Sequence, residues 1–116
     1  MRFLHTFALL GMLSLTLLGP APQPATAQEP AAVVVGIYDN YFDPPTIFVA
    51  PGTTVWWVNY GAQAHSSSST VGLWESGDLS PGDAYNQTFD RAGNYRYYDR
   101  THMRNRMLGR VVVIGP

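Results

Sequence analysis

The sequence predicts an all-β domain, a Greek-key β-sandwich or barrel of about seven to eight strands. After residue 27 no apolar pattern recurs at helical spacing, and short β-branched or aromatic runs take its place. Turn residues cut between the runs, at Asp43-Pro44-Pro45, Pro51-Gly52, Gly61, Ser76-Gly77-Asp78, Pro81-Gly82-Asp83 and Ala92-Gly93. Regular punctuation of short strands is the mark of a sandwich closed around one core. Residues 28–116 also carry 13 aromatics, among them Trp56, Trp57 and Trp74, which supply much apolar area to a small domain.

The elements follow in chain order. Residues 1–27 hold Arg2, an apolar run over 7–18, the break Gly19-Pro20 and then Ala25-Thr26-Ala27, the layout of a secretory signal peptide cleaved after Ala27. The apolar run is short against the ~20 residues that span a bilayer, so no membrane insertion is expected after cleavage. Residues 28–116 then form a single domain, periplasmic or secreted and monomeric, with 28–32 as a flexible tether. Strands are expected at 32–38, 46–49, 53–59, 67–71, 84–89, 93–99 and 108–114. The serine run 66–69 reads as an exposed strand edge.

The 116 residues include no cysteine, which excludes disulfides, thiolate nucleophiles, Cys-ligated zinc, iron–sulfur clusters and thiolate-ligated copper. Net charge is −1, but its distribution is uneven. From Gln28 to Asp90 there are seven acids and no Lys or Arg, whereas from Arg91 to Arg110 six arginines face Asp99 alone. Nucleic acid is excluded as a partner, because neither the bulk charge nor the fold class offers a recognition element.

Strand parity singles out one carboxylate. In Asn94-Tyr95-Arg96-Tyr97-Tyr98-Asp99, alternation puts Arg96 and Tyr98 on one face and Tyr95, Tyr97 and Asp99 on the other. If Arg96 faces water, Asp99 is buried and needs a hydrogen-bond donor, a counter-ion or a metal. As a turn residue it could accept local hydrogen bonds, or it could pair with Arg100 or Arg110. His65 and His102 are the histidines of the mature segment, and Met107 follows His102 by five residues. Two imidazoles, a carboxylate and a thioether form a metal-ligand set if the fold brings His65 to the loop that carries the others.

Three stretches resemble the plastocyanin/amicyanin branch of the cupredoxins, small exported copper proteins: DNYFDPPTIFVAPGTTVWWVNYGAQAH (39–65), WESGDLSPGDAYNQTF (74–89) and GNYRYYDRTHMRNRMLGRVVV (93–113). The resemblance covers nearly the whole mature segment. It implies that His65, His102 and Met107 are copper ligands and that Asp99 stands where the family has its equatorial Cys. It implies a one-electron carrier, and Ser66 falls on a position that buttresses the ligand loop through hydrogen bonds. On its own residues, Ser66 reads equally well as the start of an exposed strand.

Replacing sulfur by oxygen changes the expected chemistry. A His65, Asp99, His102 and Met107 site lacks the copper–thiolate bond, and its harder oxygen donor favours Cu(II). The same set would also take Zn(II) or, as a facial triad, Fe(II), with copper first by affinity order. A non-redox copper or zinc binding or delivery protein is the alternative function, and a metal-free interaction module a further one. No enzyme is expected, since a Ser–His–Asp reading finds no G-x-S-x-G elbow. Arg100, Arg104 and Arg106 beside the ligand loop suggest a positive rim that steers an acidic redox partner. Pairing of these arginines with the domain's own acids is the simpler reading.

Overall fold

Alternation along Thr53–Asn59 sets the architecture, because it sends Thr53, Val55, Trp57 and Asn59 inward while Trp56 stays exposed. The computed structural model describes residues 19–20 and 31–115, so most of the leader and of the tether lies outside the described residues. Among the described residues there are eight strands: β1 Ala32–Ile37, β2 Phe42–Asp43, β3 Thr46–Val49, β4 Thr53–Asn59, β5 Ser68–Ser69, β6 Ala84–Phe89, β7 Gly93–Tyr98 and β8 Leu108–Val113. They form two four-stranded sheets, ordered β2-β1-β4-β6 and β3-β8-β7-β5. Each sheet is mixed, with β1 parallel to β4 and β3 parallel to β8. Among the described residues no helix is long and apolar enough to cross a membrane.

Two details differ from the sequence reading. The two-residue β2 is too short to show a period in the sequence, yet it pairs with the end of β1 through Gly36–Asp43 and Ile37–Phe42. The serine run is buried rather than exposed, with Ser66 and Ser67 both at 0%. Burial is tolerated because partners lie inside the fold: Trp74 Nε1 donates to Ser67 Oγ at 3.0 Å, and Ser66 Oγ lies 2.9 Å from Ser68 Oγ. Only Ser68–Ser69 is strand, paired with Tyr98 and Tyr97.

The core between the sheets is aromatic. Trp57 stacks on Trp74 with centroids 5.6 Å apart and meets Tyr97 edge-on at 5.2 Å, while Phe42 meets Tyr97 at 4.8 Å. Fully buried rings of this size each remove roughly 150–250 Å² from water, which compensates for the absence of disulfides. Gly109 faces Tyr97 across β7 and β8, and any side chain there would collide with the tyrosine ring. The last inward residue of β4, Asn59, and the first residue beyond β7, Asp99, lie at one end of this core, and the polar chemistry of the molecule gathers there.

Candidate metal centre

Asn59 organises the loop that delivers His65. Its side-chain amide donates to Gln63 O at 2.7 Å and Leu79 O at 2.9 Å, and its Oδ1 accepts from Gly61 N at 2.8 Å. A two-way backbone bridge then fixes His65, with His65 N donating to Leu79 O at 3.0 Å and Leu79 N returning to His65 O at 2.7 Å. The imidazole of His65 is completely buried as a result.

Asp99 is buried too, at 1% exposure, as the parity of β7 predicts. It caps the 3-10 helix Arg100–Asn105: its Oδ1 accepts from Thr101 N at 2.9 Å and from Ser66 N at 3.0 Å, with Thr101 Oγ1 at 2.7 Å. Its Oδ2 meets His65 Nδ1 at 2.7 Å and His102 Nδ1 at 3.0 Å. Burial pushes the Asp99 carboxyl up, but the hydrogen bonds from Thr101, His65 and His102 outweigh it and hold the group below the usual carboxylate range. The partners of Asp99 are thus imidazoles and local donors. Arg100 is turned away, its Nη2 at 2.8 Å from Asp78 Oδ1 and its Nε at 3.4 Å from Glu75 Oε1.

His102 interrupts the 3-10 helix with φ −130° and ψ 57°, which swings its ring back over Asp99, and its side chain is 24% exposed. The two imidazoles lie with centroids 4.7 Å apart. Met107 is buried, and its backbone carbonyl accepts from Asp99 N at 3.0 Å, which closes the loop between them. Arg106, in the left-handed region at φ 49°, turns the chain into Met107. Ser66 Oγ accepts from Arg100 N at 2.8 Å, so this serine braces the loop entrance as the resemblance implied.

One participant had no signal in the sequence. Asp39, just past β1, places Oδ1 2.9 Å from His65 Nε2 while accepting from Ala62 N at 2.9 Å. The hydrogen bond with His65 is the main reason its carboxyl is held below the usual range, opposed in part by burial. Gly61 makes room for it, since a side chain at that position would collide with Asp39 Oδ1. An Asp after a strand is ordinarily a turn residue, and nothing in its 26-residue separation from His65 marks it otherwise.

The donors fit a metal ion. His65, Asp99 and His102 each offer one ligand atom, and those atoms lie within 4.8 Å of one another. Both imidazoles turn the same nitrogen, Nδ1, toward a single carboxylate oxygen, and Asp39 holds the far nitrogen of the buried ring. A carboxylate behind a ligating histidine fixes ring orientation and the position of its proton. Each His–Asp contact is a hydrogen bond when the nitrogen carries a proton, so a metal held by these imidazoles would take the place of those protons. Among the described residues this is the one group of three or more His, Asp or Glu side chains with such geometry.

A two-sheet sandwich with a largely buried His–Asp–His cluster at its loop end defines a small β-sandwich protein with a candidate metal site. The comparisons narrow the class. A family model described as "Cupredoxin-like domain" matches residues 7–113. The chain is 36% identical to amicyanin of Paracoccus denitrificans over 101 residues, 81% of this chain and 76% of that protein. It is 29% identical to the chloroplastic plastocyanin of Tetradesmus obliquus over 83 residues, covering 62% and 57%. Among solved structures, a purple cupredoxin from Nitrosopumilus maritimus aligns with TM-score 0.64 and 26% identity, covering 71% of this chain and 99% of that one. The chain belongs to the cupredoxin family, whose members are typically copper-binding electron carriers.

Proposed function

We propose that this protein is an exported, copper-binding electron carrier whose site is non-blue, with His65, Asp99, His102 and Met107 as ligands. The observation that carries the reading is the convergence of His65 Nδ1 and His102 Nδ1 on Asp99 Oδ2 within a cupredoxin fold. Copper bound there would supply a one-electron couple, with Cu(II) favoured by the oxygen donor. The chain's own contribution is positional. Asn59 and Leu79 fix His65, Thr101 and Ser66 fix Asp99, and a loop closed by Asp99 N and Met107 O limits rearrangement. His102, being partly exposed, is the ligand nearest to solvent and the natural exit for an electron.

Export follows from the apolar run and small-residue site of the leader. An acidic redox partner remains part of the proposal, although the arginine rim is reduced because Arg100 is engaged by Asp78 and Glu75. Metal analysis of the purified protein with cyclic voltammetry tests the assignment. Stoichiometric copper and a reversible one-electron wave are expected, and absence of copper uptake would contradict it.

The alternative of a copper or zinc binding or delivery protein is favoured by one observation. Asp99 accepts hydrogen bonds from Ser66 N and Thr101 N and meets both imidazoles, so the chain's own donors already answer its charge. Tight metal uptake with no electrochemical response would select it.

A further inference from the structure

The second sheet carries a feature that the metal site does not use. Arg96 on β7 and Arg110 on β8 are direct cross-strand partners. Like charges in that position repel, whereas an opposite charge there would stabilise the pair. None is available, since β3, β5, β7 and β8 contain no Asp or Glu, and neither arginine forms an ion pair among the described residues.

The row extends to both sides. Thr46 on β3 is in register with Arg110, and Arg110 N donates to Pro45 O at 2.8 Å. Thr70, beyond β5, donates its N–H to Arg96 O at 3.0 Å. These four side chains line a groove of about 360 Å³ on the outside of the sheet. Two guanidinium groups beside two hydroxyls, in a concavity free of acids, form a surface rich in hydrogen-bond donors. A neighbouring groove shares Thr70 and Leu108 with it and reaches Asp99, Arg106 and Met107.

We propose that the row Thr46, Arg110, Arg96 and Thr70 is a binding site for a small oxyanion, a phosphate or carboxylate group gripped by both arginines. The anion supplies the charge that the sheet omits and bridges two strands that otherwise repel. The site stands independently of metal at His65, Asp99 and His102.

The test is titration of the metal-free full chain with inorganic phosphate and, separately, citrate, followed by amide NMR at constant ionic strength set with chloride. Saturable 1:1 shifts at Thr46, Arg96 and Arg110 are expected, with affinity falling about tenfold or more in Arg96→Gln and in Arg110→Gln as one charged grip is lost. Arg96→Lys keeps the charge and loses the fork, so it is expected to recover part of the affinity. Phosphate should also raise the melting temperature of the parent more than that of either Gln variant. The two titrants decide which oxyanion class the site takes. Binding of neither, or binding unchanged in both Gln variants, overturns the proposal whatever the metal content of the protein.

Discussion

Trp57 and His65 are both fully buried, yet different forces hold them. Trp57 sits among Trp74, Tyr85, Phe89 and Tyr97, where area and ring geometry decide the packing. His65 sits between two carboxylates, one buried and one 35% exposed, where hydrogen-bond direction decides it. The body of the sandwich is therefore set by shape, and its loop end by polar satisfaction. An error in the first costs stability, and an error in the second costs chemistry as well.

Trp57→Ala is the largest disturbance, expected to lower unfolding free energy by about 3–5 kcal/mol in urea titrations. Asp99→Ala follows, because it strips the acceptor from His65, His102, Ser66 N and Thr101 N at once. A loss of about 3 kcal/mol is expected, together with abolished metal binding by calorimetry. If Asp99→Ala were as stable as the parent, the loop end would not depend on polar satisfaction.

Tyr97 joins the two regions, since it packs against Trp57 but precedes Asp99 by two residues. Burial pushes its phenol up to about 12, opposed in part by the indole of Trp57, although neither Tyr97 Oη nor Trp57 Nε1 completes a hydrogen bond. A phenol whose folded value is raised stabilises the fold fully below its unfolded value and loses that contribution as pH rises through the folded one. Stability should fall by about 3 kcal/mol between pH 10 and 12. Tyr97→Phe should flatten this alkaline loss and raise neutral-pH stability by about 1 kcal/mol, since it removes an unpaired buried hydroxyl.

Asp39→Asn sharpens the contrast most finely. Its effect on stability should be small, while metal affinity falls about 10- to 100-fold through loss of the carboxylate behind His65. Metal titrations of parent and variant measure it, and equal affinities would confine Asp39 to a loop-bracing role.

The same division explains what the sequence disclosed. Alternation in β7 predicted the buried Asp99, because a half-buried strand writes its faces into its sequence with a period of two. The convergence of His65, Asp99 and His102 came from resemblance and ligand chemistry rather than from periodicity. Asp39 stayed silent, since a contact made by loop closure leaves no repeat. Ser66 and Ser67 show the same limit: their polarity points to water, whereas Trp74, Ser68 and the Arg100 N–H supply partners inside.

In the proposed site Asp99 occupies the equatorial ligand position of a cupredoxin. Visible absorption and EPR of the copper-loaded parent and of Asp99→Cys test it most directly. A parent without the intense charge-transfer band of a copper–thiolate bond is expected, and an Asp99→Cys protein that acquires that band and turns blue. A copper-binding Asp99→Cys protein that stays as colourless as the parent would contradict it.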